Sequence, residues 1–235
     1  MRAIGLALCV ALAGCGGGGR GPAPSPVSQS APIQSAPDAP KCVPVAVVKI
    51  QLFGDSTQWG FDGETQTQAF HNPTDSLQNL MNARFGVGAV KVEDRAVGGT
   101  TSKQLFYGTD GLNKPWPQSV DADITVMNFG VNDSAWSVPF NDYVSYLSQM
   151  SPTVFETPNL TTNGSPIDQY AQGMRDVAAS LHKPVADVTA YMHSLPDWQS
   201  YVKDGVHPGD TLYALISYNV LYPTLEPLMA KLKCQ

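Results

Sequence analysis

The stretch from Val45 to Phe53 constrains the fold more than any other part of the chain. It is dominated by β-branched and apolar residues, and it runs directly into Gly54-Asp55-Ser56. A nearly continuous apolar segment is typical of a strand that is buried on both faces of a parallel sheet. A glycine at its end permits a sharp turn that lifts the next side chains out of the C-terminal edge of the sheet. The stretch therefore predicts a central strand that presents Ser56 at an edge where active sites form.

Strand-like and helical segments alternate along the rest of the chain. Short apolar segments predict further strands at 89–92, 124–129, 153–156 and 184–188. Periodic apolar residues predict helices from 74 or 75 to 84 and at 141–150, 166–182 and 208–233. Pro223 and Pro227 are expected to kink or interrupt the last of these helices. Strands that alternate with helices predict an α/β fold with a parallel sheet covered on both faces.

The first 41 residues differ in character from the rest. Residues 1–14 place one early arginine before a short apolar run, which predicts a signal peptide. The residues Leu12-Ala13-Gly14-Cys15 resemble a bacterial lipobox, and this resemblance implies that Cys15 becomes a lipidated first residue; an ordinary secretory signal with a chance cysteine is the alternative. Residues 15–41 are nearly all Gly, Pro, Ala and Ser, which predicts a disordered tether. Residues 42–235 are then expected to form a single domain.

This leader also predicts a location. A lipidated Cys15 would anchor the protein to a membrane of the bacterial cell envelope. By resemblance to enteric lipoproteins, Gly16 lacks the acidic residue that retains a protein at the inner membrane. The expected address is therefore the outer membrane, facing the periplasm or the exterior.

Composition argues against several partners. The net charge is −6 and the sequence contains no run of Lys or Arg, so a nucleic-acid partner is not expected. The sequence contains no phosphate-binding loop and no dinucleotide fingerprint, and His71, His182 and His193 lack metal-ligand spacing. Neither a cofactor nor a metal is therefore predicted.

The cysteines predict one disulfide. Cys9 would leave with the signal and Cys15 would carry lipid, which leaves Cys42 and Cys234. In a parallel sheet the helices run antiparallel to the strands, so the last helix should end at the edge where the first strand begins. Cys42 precedes that strand and Cys234 follows that helix, so a Cys42–Cys234 bridge is expected, with two unpaired thiols as the alternative.

Three residues have the properties of an acyl-transfer site. The hydroxyl of Ser56 is a weak nucleophile and needs a base to take its proton. His207, in the segment Asp204-Gly205-Val206-His207-Pro208, could be that base, and Asp204 could orient and charge-balance its imidazole. The sequence therefore predicts a serine nucleophile activated by a His–Asp pair.

Such a site also needs donors for the oxyanion. The segment Gly98-Gly99-Thr100 offers a backbone N–H with no side chain in the way, and Gly130-Val131-Asn132-Asp133 offers a side-chain amide. The N–H of Ser56 would make a third donor. All of these donors follow predicted strands, so they are expected to gather at one sheet edge.

In order, these motifs resemble the four blocks of the SGNH (GDSL-type) hydrolases, carried here by Gly54-Asp55-Ser56, Gly99, Gly130-x-Asn132-Asp133 and Asp204-x-x-His207-Pro208. The resemblance implies a flavodoxin-like three-layer α/β/α sandwich with a five-stranded parallel sheet. It also implies a catalytic triad of Ser56, Asp204 and His207, and an oxyanion hole of Ser56, Gly99 and Asn132.

The sequence departs from this family at two places. The second block usually has an Asn several residues before its glycine, where this chain has Asp94-Arg95. The residues alone leave Gly98 and Gly99 open, and the final small-Gly-x-Thr pattern of the block favours Gly99. The Gly- and Gln-rich stretch from Trp59 to Asn72 is a candidate lid or substrate loop.

The predicted function is a serine esterase that acts through a Ser-acyl intermediate on carboxylic esters of lipids, small acyl groups or acetylated glycans. Two alternatives use the same site, namely acyl transfer to an alcohol and hydrolysis of a thioester. A third alternative is a non-enzymatic surface lipoprotein that binds glycan or lipid in the cleft.

Overall fold

The computed structural model describes residues 42–136 and 138–235. The predicted signal peptide, the predicted lipidation site Cys15 and the predicted tether lie outside these described residues. In the described part of the chain, no helix is long and apolar enough to cross a membrane.

Within the described residues, five parallel strands form one sheet in the order β2-β1-β3-β4-β5. The strands are β1 Val48–Gly54, β2 Val90–Asp94, β3 Ile124–Asn128, β4 Val154–Glu156 and β5 Val185–Ala186. In the centre of the sheet, Ile50 of β1 lies opposite Val92 on one side and Ile124 on the other. Every residue of β1 is buried except the half-buried Lys49. The predicted α/β fold with a five-stranded parallel sheet is therefore confirmed.

Helices cover both faces of this sheet. Those in the described residues are α1 Ser56–Trp59, α2 Pro73–Phe85, α3 Ser102–Tyr107, α4 Val131–Ala135, α5 Phe140–Met150, α6 Ile167–Ser180, α7 Val188–Ser194, α8 Asp210–Ile216 and α9 Tyr222–Leu232, with a 3-10 turn at Trp198–Tyr201 and a π-helical turn at Ser217–Leu221. Two hydrophobic clusters result. One joins the strands to α2, α7, α8 and α9, and the other joins them to α3, α5 and α6. The molecule is thus a three-layer α/β/α sandwich.

The predicted helix 208–233 is divided in the structure. Gly209 is extended and serves as the N-cap, so the first helical residue is Asp210. The π-helical turn Ser217–Leu221 precedes Pro223, which lies in the first turn of α9. Because helical residues continue from this turn into α9, Pro223 removes one backbone donor from an otherwise continuous helical segment. The predicted irregularity is therefore found just before Pro223, whereas α9 continues through Pro227, where no interruption occurs. The predicted start at Pro208 is wrong because the chain is still extended at Gly209.

A disulfide joins Cys42 and Cys234, whose Cα atoms are 5.9 Å apart. The backbone N–H of Val45 donates to the carbonyl oxygen of Leu232 at 3.0 Å, and the Lys233 ammonium donates to the carbonyl oxygen of Ala46 at 2.7 Å. The end of α9 therefore lies beside the segment that leads into β1, as the helix direction predicts. The expected Cys42–Cys234 bridge is present in the structure.

Candidate active site

Ser56 is the first residue of the short helix that follows the central strand. The carboxylate of Asp55 caps this helix by accepting hydrogen bonds from the backbone N–H and the hydroxyl of Thr57, at 2.9 and 2.8 Å. Gly54 is required because a Cβ at this position would lie 2.6 Å from the carbonyl oxygen of Asn128. The sharp turn predicted after β1 is therefore present, and it places Ser56 at the C-terminal edge of the sheet.

A chain of hydrogen bonds joins Ser56 to the distant His207, and His207 to the nearby Asp204. The Oγ of Ser56 is 2.8 Å from Nε2 of His207, and Nδ1 of the same ring is 2.7 Å from Oδ2 of Asp204. The His207 and Asp204 side chains are 18% and 23% exposed, so most of their surface is shielded from water. This arrangement can move a proton from the hydroxyl to the imidazole while the carboxylate balances the resulting charge.

The turn that carries Asp204 also holds its carboxylate in place. Its Oδ1 accepts the backbone N–H groups of Val206 and His207, at 2.9 and 2.7 Å. Gly205 within this turn has a φ of +87°, in the left-handed region that favours glycine. Burial acts to raise the pKa of Asp204, but the hydrogen bonds from His207 and Val206 outweigh it and hold that pKa below its ordinary value. The carboxylate is therefore ionised where it meets the imidazole.

The predicted oxyanion donors lie in the same pocket as Ser56. Gly98, Gly99 and Asn132 all line it, and Gly99 has a positive φ of +72°. The side-chain amide of Asn132 donates to the carbonyl oxygen of Thr100 at 2.9 Å. An amide nitrogen has two N–H donors, so this bond fixes the group and leaves its second donor for a ligand. The structure thus brings together the residues that the sequence predicted for the site.

Asp133 links the two segments that carry the predicted oxyanion donors Gly99 and Asn132. It is fully buried, and its carboxylate accepts hydrogen bonds from the backbone N–H of Ser102, at 3.1 Å, and from the Ser102 hydroxyl. Ser102 follows the glycine segment and Asp133 follows Asn132, so the contact links the two segments. Burial raises the pKa of Asp133 to about 6, although the hydrogen bonds from Ser102 act to lower it.

A pocket of about 630 Å³ is open beside Ser56 and His207. Besides the site residues, its lining consists of apolar and aromatic side chains and one amide: Phe61, Val131, Ala135, Trp136, Val206 and Asn163. The Trp136 side chain is largely exposed. The carboxamide oxygen of Asn163 accepts hydrogen bonds from the Thr161 hydroxyl, at 2.8 Å, and from the Ser165 N–H, at 3.0 Å. No sequence motif marks Asn163, because its position depends on the path of a loop.

Within the stretch Trp59–Asn72, a candidate lid or substrate loop, Phe61 forms part of the wall of the site. The N–H of Phe61 donates to the carbonyl oxygen of Ser56 at 2.9 Å, and the Tyr213 hydroxyl donates to the carbonyl oxygen of Phe61 at 2.8 Å. The Phe61 ring lies 4.6 Å from the His207 ring, between centres, and lines the pocket. The segment therefore contacts the imidazole directly.

His71 and His193 each lie beside a single aspartate. Nδ1 of His71 lies 2.6 Å from Asp210, and Nε2 of His193 lies 2.7 Å from Asp168. Within residues 42–136 and 138–235, no group of three or more His, Cys, Asp or Glu side chains is arranged to hold a metal ion. Each of these pairs offers fewer ligands than a protein zinc site uses.

Sequence reasoning missed Glu156, a buried carboxyl at the C-terminal end of β4. Its side chain is only 3% exposed. Burial raises the pKa of Glu156 to about 8, and the nearby Asp55 carboxyl adds to this rise. Within the described residues, neither Oε2 of Glu156 nor the buried amide nitrogen of Gln58 has a hydrogen-bond partner. The ordinary pKa of a glutamate is about 4.3. Between these two values the folded protein keeps a proton that the unfolded chain releases, so the contribution of Glu156 to stability falls as pH rises through this window.

Glu156→Gln is therefore expected to stabilise the protein increasingly as pH rises. Glutamine has the same size as glutamate and cannot ionise. We expect the free energy of unfolding to change little near pH 5 and to rise by about 1–3 kcal/mol near pH 8. Urea unfolding of both proteins at several pH values measures this difference. A gain that is constant across pH would contradict a protonated Glu156 in the folded state.

Comparisons with known proteins agree with this architecture. The model of the GDSL-like lipase/acylhydrolase family matches residues 52–215. A lipase/acylhydrolase from Enterococcus faecalis has a similar structure, with a TM-score of 0.61 and 20% identity, covering 77% of this chain and 96% of that one. An acetylxylan esterase from Geobacillus stearothermophilus has a TM-score of 0.58 and 16% identity, covering 79% of this chain and 94% of that one. No curated protein shows a significant match. At these identities the structural likeness shows a shared fold.

Proposed function

This chain belongs to the GDSL-like lipase/acylhydrolase family of ester hydrolases, and we propose that it cleaves carboxylic esters through a covalent acyl intermediate on Ser56. One observation carries the proposal: Ser56 Oγ lies 2.8 Å from a His207 ring whose other nitrogen lies 2.7 Å from Asp204. These are the distances at which a base can take the proton of a nucleophile and a carboxylate can orient that base. Membership in the family supports the reaction class, and this geometry supports the proposed roles of the three residues.

The proposed reaction has two halves. Ser56 Oγ attacks the ester carbonyl carbon while Nε2 of His207 takes its proton, and the oxyanion accepts hydrogen bonds from the N–H groups of Ser56 and Gly99 and from the Asn132 amide. The tetrahedral intermediate collapses as His207 returns the proton to the leaving alkoxide. Water then attacks the acyl-Ser56 carbonyl, again giving its proton to His207. Release of the carboxylic acid restores the Ser56 hydroxyl.

We further propose that the leaving alcohol is a polyol or a sugar. Asn163 lines the pocket together with Val206 and His207. In the proposed reaction the leaving group takes its proton from His207, so this is the side of the pocket where the alcohol would lie. The oxygen of its carboxamide is engaged by Thr161 and Ser165, so its N–H donors are the groups left for a substrate. Such donors favour an alcohol with further oxygens, and the exposed indole of Trp136 provides an apolar surface for its carbon skeleton.

Two assays test the function. A fluorophosphonate probe should label wild-type protein and leave Ser56→Ala unlabelled, whereas a protein that only binds its ligand in the cleft would not be labelled at all. Nitrophenyl esters of increasing chain length, acetylated sugars and an acyl-CoA should then be compared. Faster cleavage of acetylated sugars, with a loss specific to them in Asn163→Ala, supports the proposed alcohol. Faster cleavage of the acyl-CoA would indicate a thioesterase in place of the proposed esterase. Transfer of the acyl group to an added alcohol in place of water would indicate an acyltransferase.

A separate proposal concerns location. We propose that Cys15 is acylated and that residues 16–41 tether the catalytic domain to the outer membrane. Cys15→Ser should move the protein from the membrane fraction to the soluble fraction, because the anchoring acyl chains are lost. Cys9→Ser, which alters a cysteine inside the signal, should leave the protein in the membrane fraction. A processed Cys15→Ser protein that still sediments with membranes would contradict this proposal.

A further inference from the structure

The turn Phe61-Asp62-Gly63 packs against the Asp204–His207 pair, although it lies outside the sequence motifs of the site. Gly63 makes the closest approach. A Cβ on Gly63 would lie 2.7 Å from Oδ1 of Asp204, 2.8 Å from Cγ of Asp204 and 3.0 Å from the carbonyl oxygen of His207. Gly63 does not have a positive φ, so an alanine could adopt its backbone conformation. What requires glycine here is the space taken by the carboxylate.

The turn is also fixed, so it cannot easily retreat from Asp204. Asp62 is buried, its N–H donates to the carbonyl oxygen of Thr67 at 2.8 Å, and its carboxylate accepts the N–H of Glu64 at 2.8 Å. The preceding residue, Phe61, is held by the Tyr213 hydroxyl and lies against the His207 ring. A side chain at position 63 would therefore displace the carboxylate more readily than the turn.

We propose that Gly63 is a positioning residue for the proposed triad. By approaching Oδ1 without a side chain, it lets the Asp204 carboxylate keep its short hydrogen bonds to the N–H and the ring of His207, and it fills the space on that side of the carboxylate. The two nearest contacts of such a Cβ are both with Asp204, so the residue acts chiefly through that carboxylate. In experiments that measure catalysis, this proposal rests on the proposed function.

Gly63→Ala should lower kcat for ester hydrolysis by about 10- to 100-fold, because displacement of a catalytic group by a fraction of an ångström is costly. KM should stay within about twofold, since Gly63 does not line the substrate pocket in the described structure. Gly209→Ala is the matched control. A Cβ there would meet its nearest atom, the Tyr201 carbonyl oxygen, at an ordinary 3.5 Å, and the φ of Gly209 is −82°. We expect kcat of this control to stay within about twofold of wild type.

A double-mutant cycle with Asp204→Ala decides whether the effect runs through the carboxylate. In the Asp204→Ala background the added methyl loses its two closest contacts and keeps only the 3.0 Å approach to the His207 carbonyl oxygen, so Gly63→Ala should change kcat by less than about twofold. The same cycle in melting temperature should show that Asp204→Ala removes any loss caused by Gly63→Ala. If Gly63→Ala does not fold but the double variant does, that rescue supports the contact. If neither Gly63→Ala nor the double variant can be recovered folded, the proposal is overturned. Losses in kcat that multiply in the double variant overturn it as well.

The proposed function and this inference fail differently. Absence of wild-type activity, or activity that survives Ser56→Ala, would refute the serine mechanism, while the melting-temperature cycle would still report on Gly63 and Asp204. If Ser56→Ala abolishes activity but the losses from Gly63→Ala and Asp204→Ala multiply, the serine mechanism stands and only the proposed role of Gly63 is refuted.

Discussion

Ser56→Ala and His207→Ala are each expected to lower kcat for ester hydrolysis by about 10⁴–10⁶-fold. Without the hydroxyl there is no atom to accept the acyl group, and without the imidazole the hydroxyl keeps its proton. The two groups lie 2.8 Å apart, and in the proposed mechanism they act on the same proton. The double variant should therefore be little slower than the slower single variant. Rates with a nitrophenyl ester, corrected for background hydrolysis, measure all three.

His193→Ala provides the matched control for this prediction. His193 is also paired with an aspartate, Asp168, at 2.7 Å, but it does not line the pocket that contains Ser56. Its loss should leave kcat within about twofold of wild type, and melting curves should show that all variants are folded. Losses that multiply in the double variant would show that Ser56 and His207 act independently, against a shared proton transfer.

The sequence predicted the parts of the molecule that depend on local patterns. The apolar run before Gly54 predicted the central strand, because a strand buried on both faces leaves a strong signature. Ser56 and Asn132 follow predicted strands and His207 precedes the last predicted helix, and these positions predicted their meeting because the carboxyl ends of parallel strands share one edge. The direction of the last helix predicted the Cys42–Cys234 bridge for the same topological reason.

The contacts that surround the site could not be predicted in this way. Gly63 and Glu156 have no motif, since their relevant neighbours, Asp204 and Asp55, are distant in the sequence. Asn163 has none because its position in the pocket depends on the path of a loop. The short helices α1 and α4 also escaped prediction, because four or five residues carry too little periodicity to indicate a helix. These features depend on the way loops pack over the sheet edge, which the sequence pattern does not encode.

Asn132→Ala is expected to lower kcat by about 10²–10³-fold, the usual loss for one oxyanion donor. The side-chain amide is held by its hydrogen bond to the Thr100 carbonyl oxygen, so its remaining donor is already oriented before substrate binds. The charge that it would stabilise exists only in the transition state, and KM should therefore change by less than about threefold. Steady-state kinetics with a nitrophenyl ester and with an acetylated sugar give both values.

Asn163→Ala is the matched comparison that separates a role in oxyanion stabilisation from a role in binding the alcohol. Both residues present an amide to the same pocket, but only Asn132 lies in the segment proposed to face the developing oxyanion. Loss of Asn132 should slow both substrates equally, because both pass through the same oxyanion. Loss of Asn163 should weaken the sugar ester alone, because only its alcohol offers oxygens to that amide. An Asn132→Ala variant with raised KM and unchanged kcat would place Asn132 in ground-state binding, and the oxyanion would then depend on the backbone donors of Ser56 and Gly99.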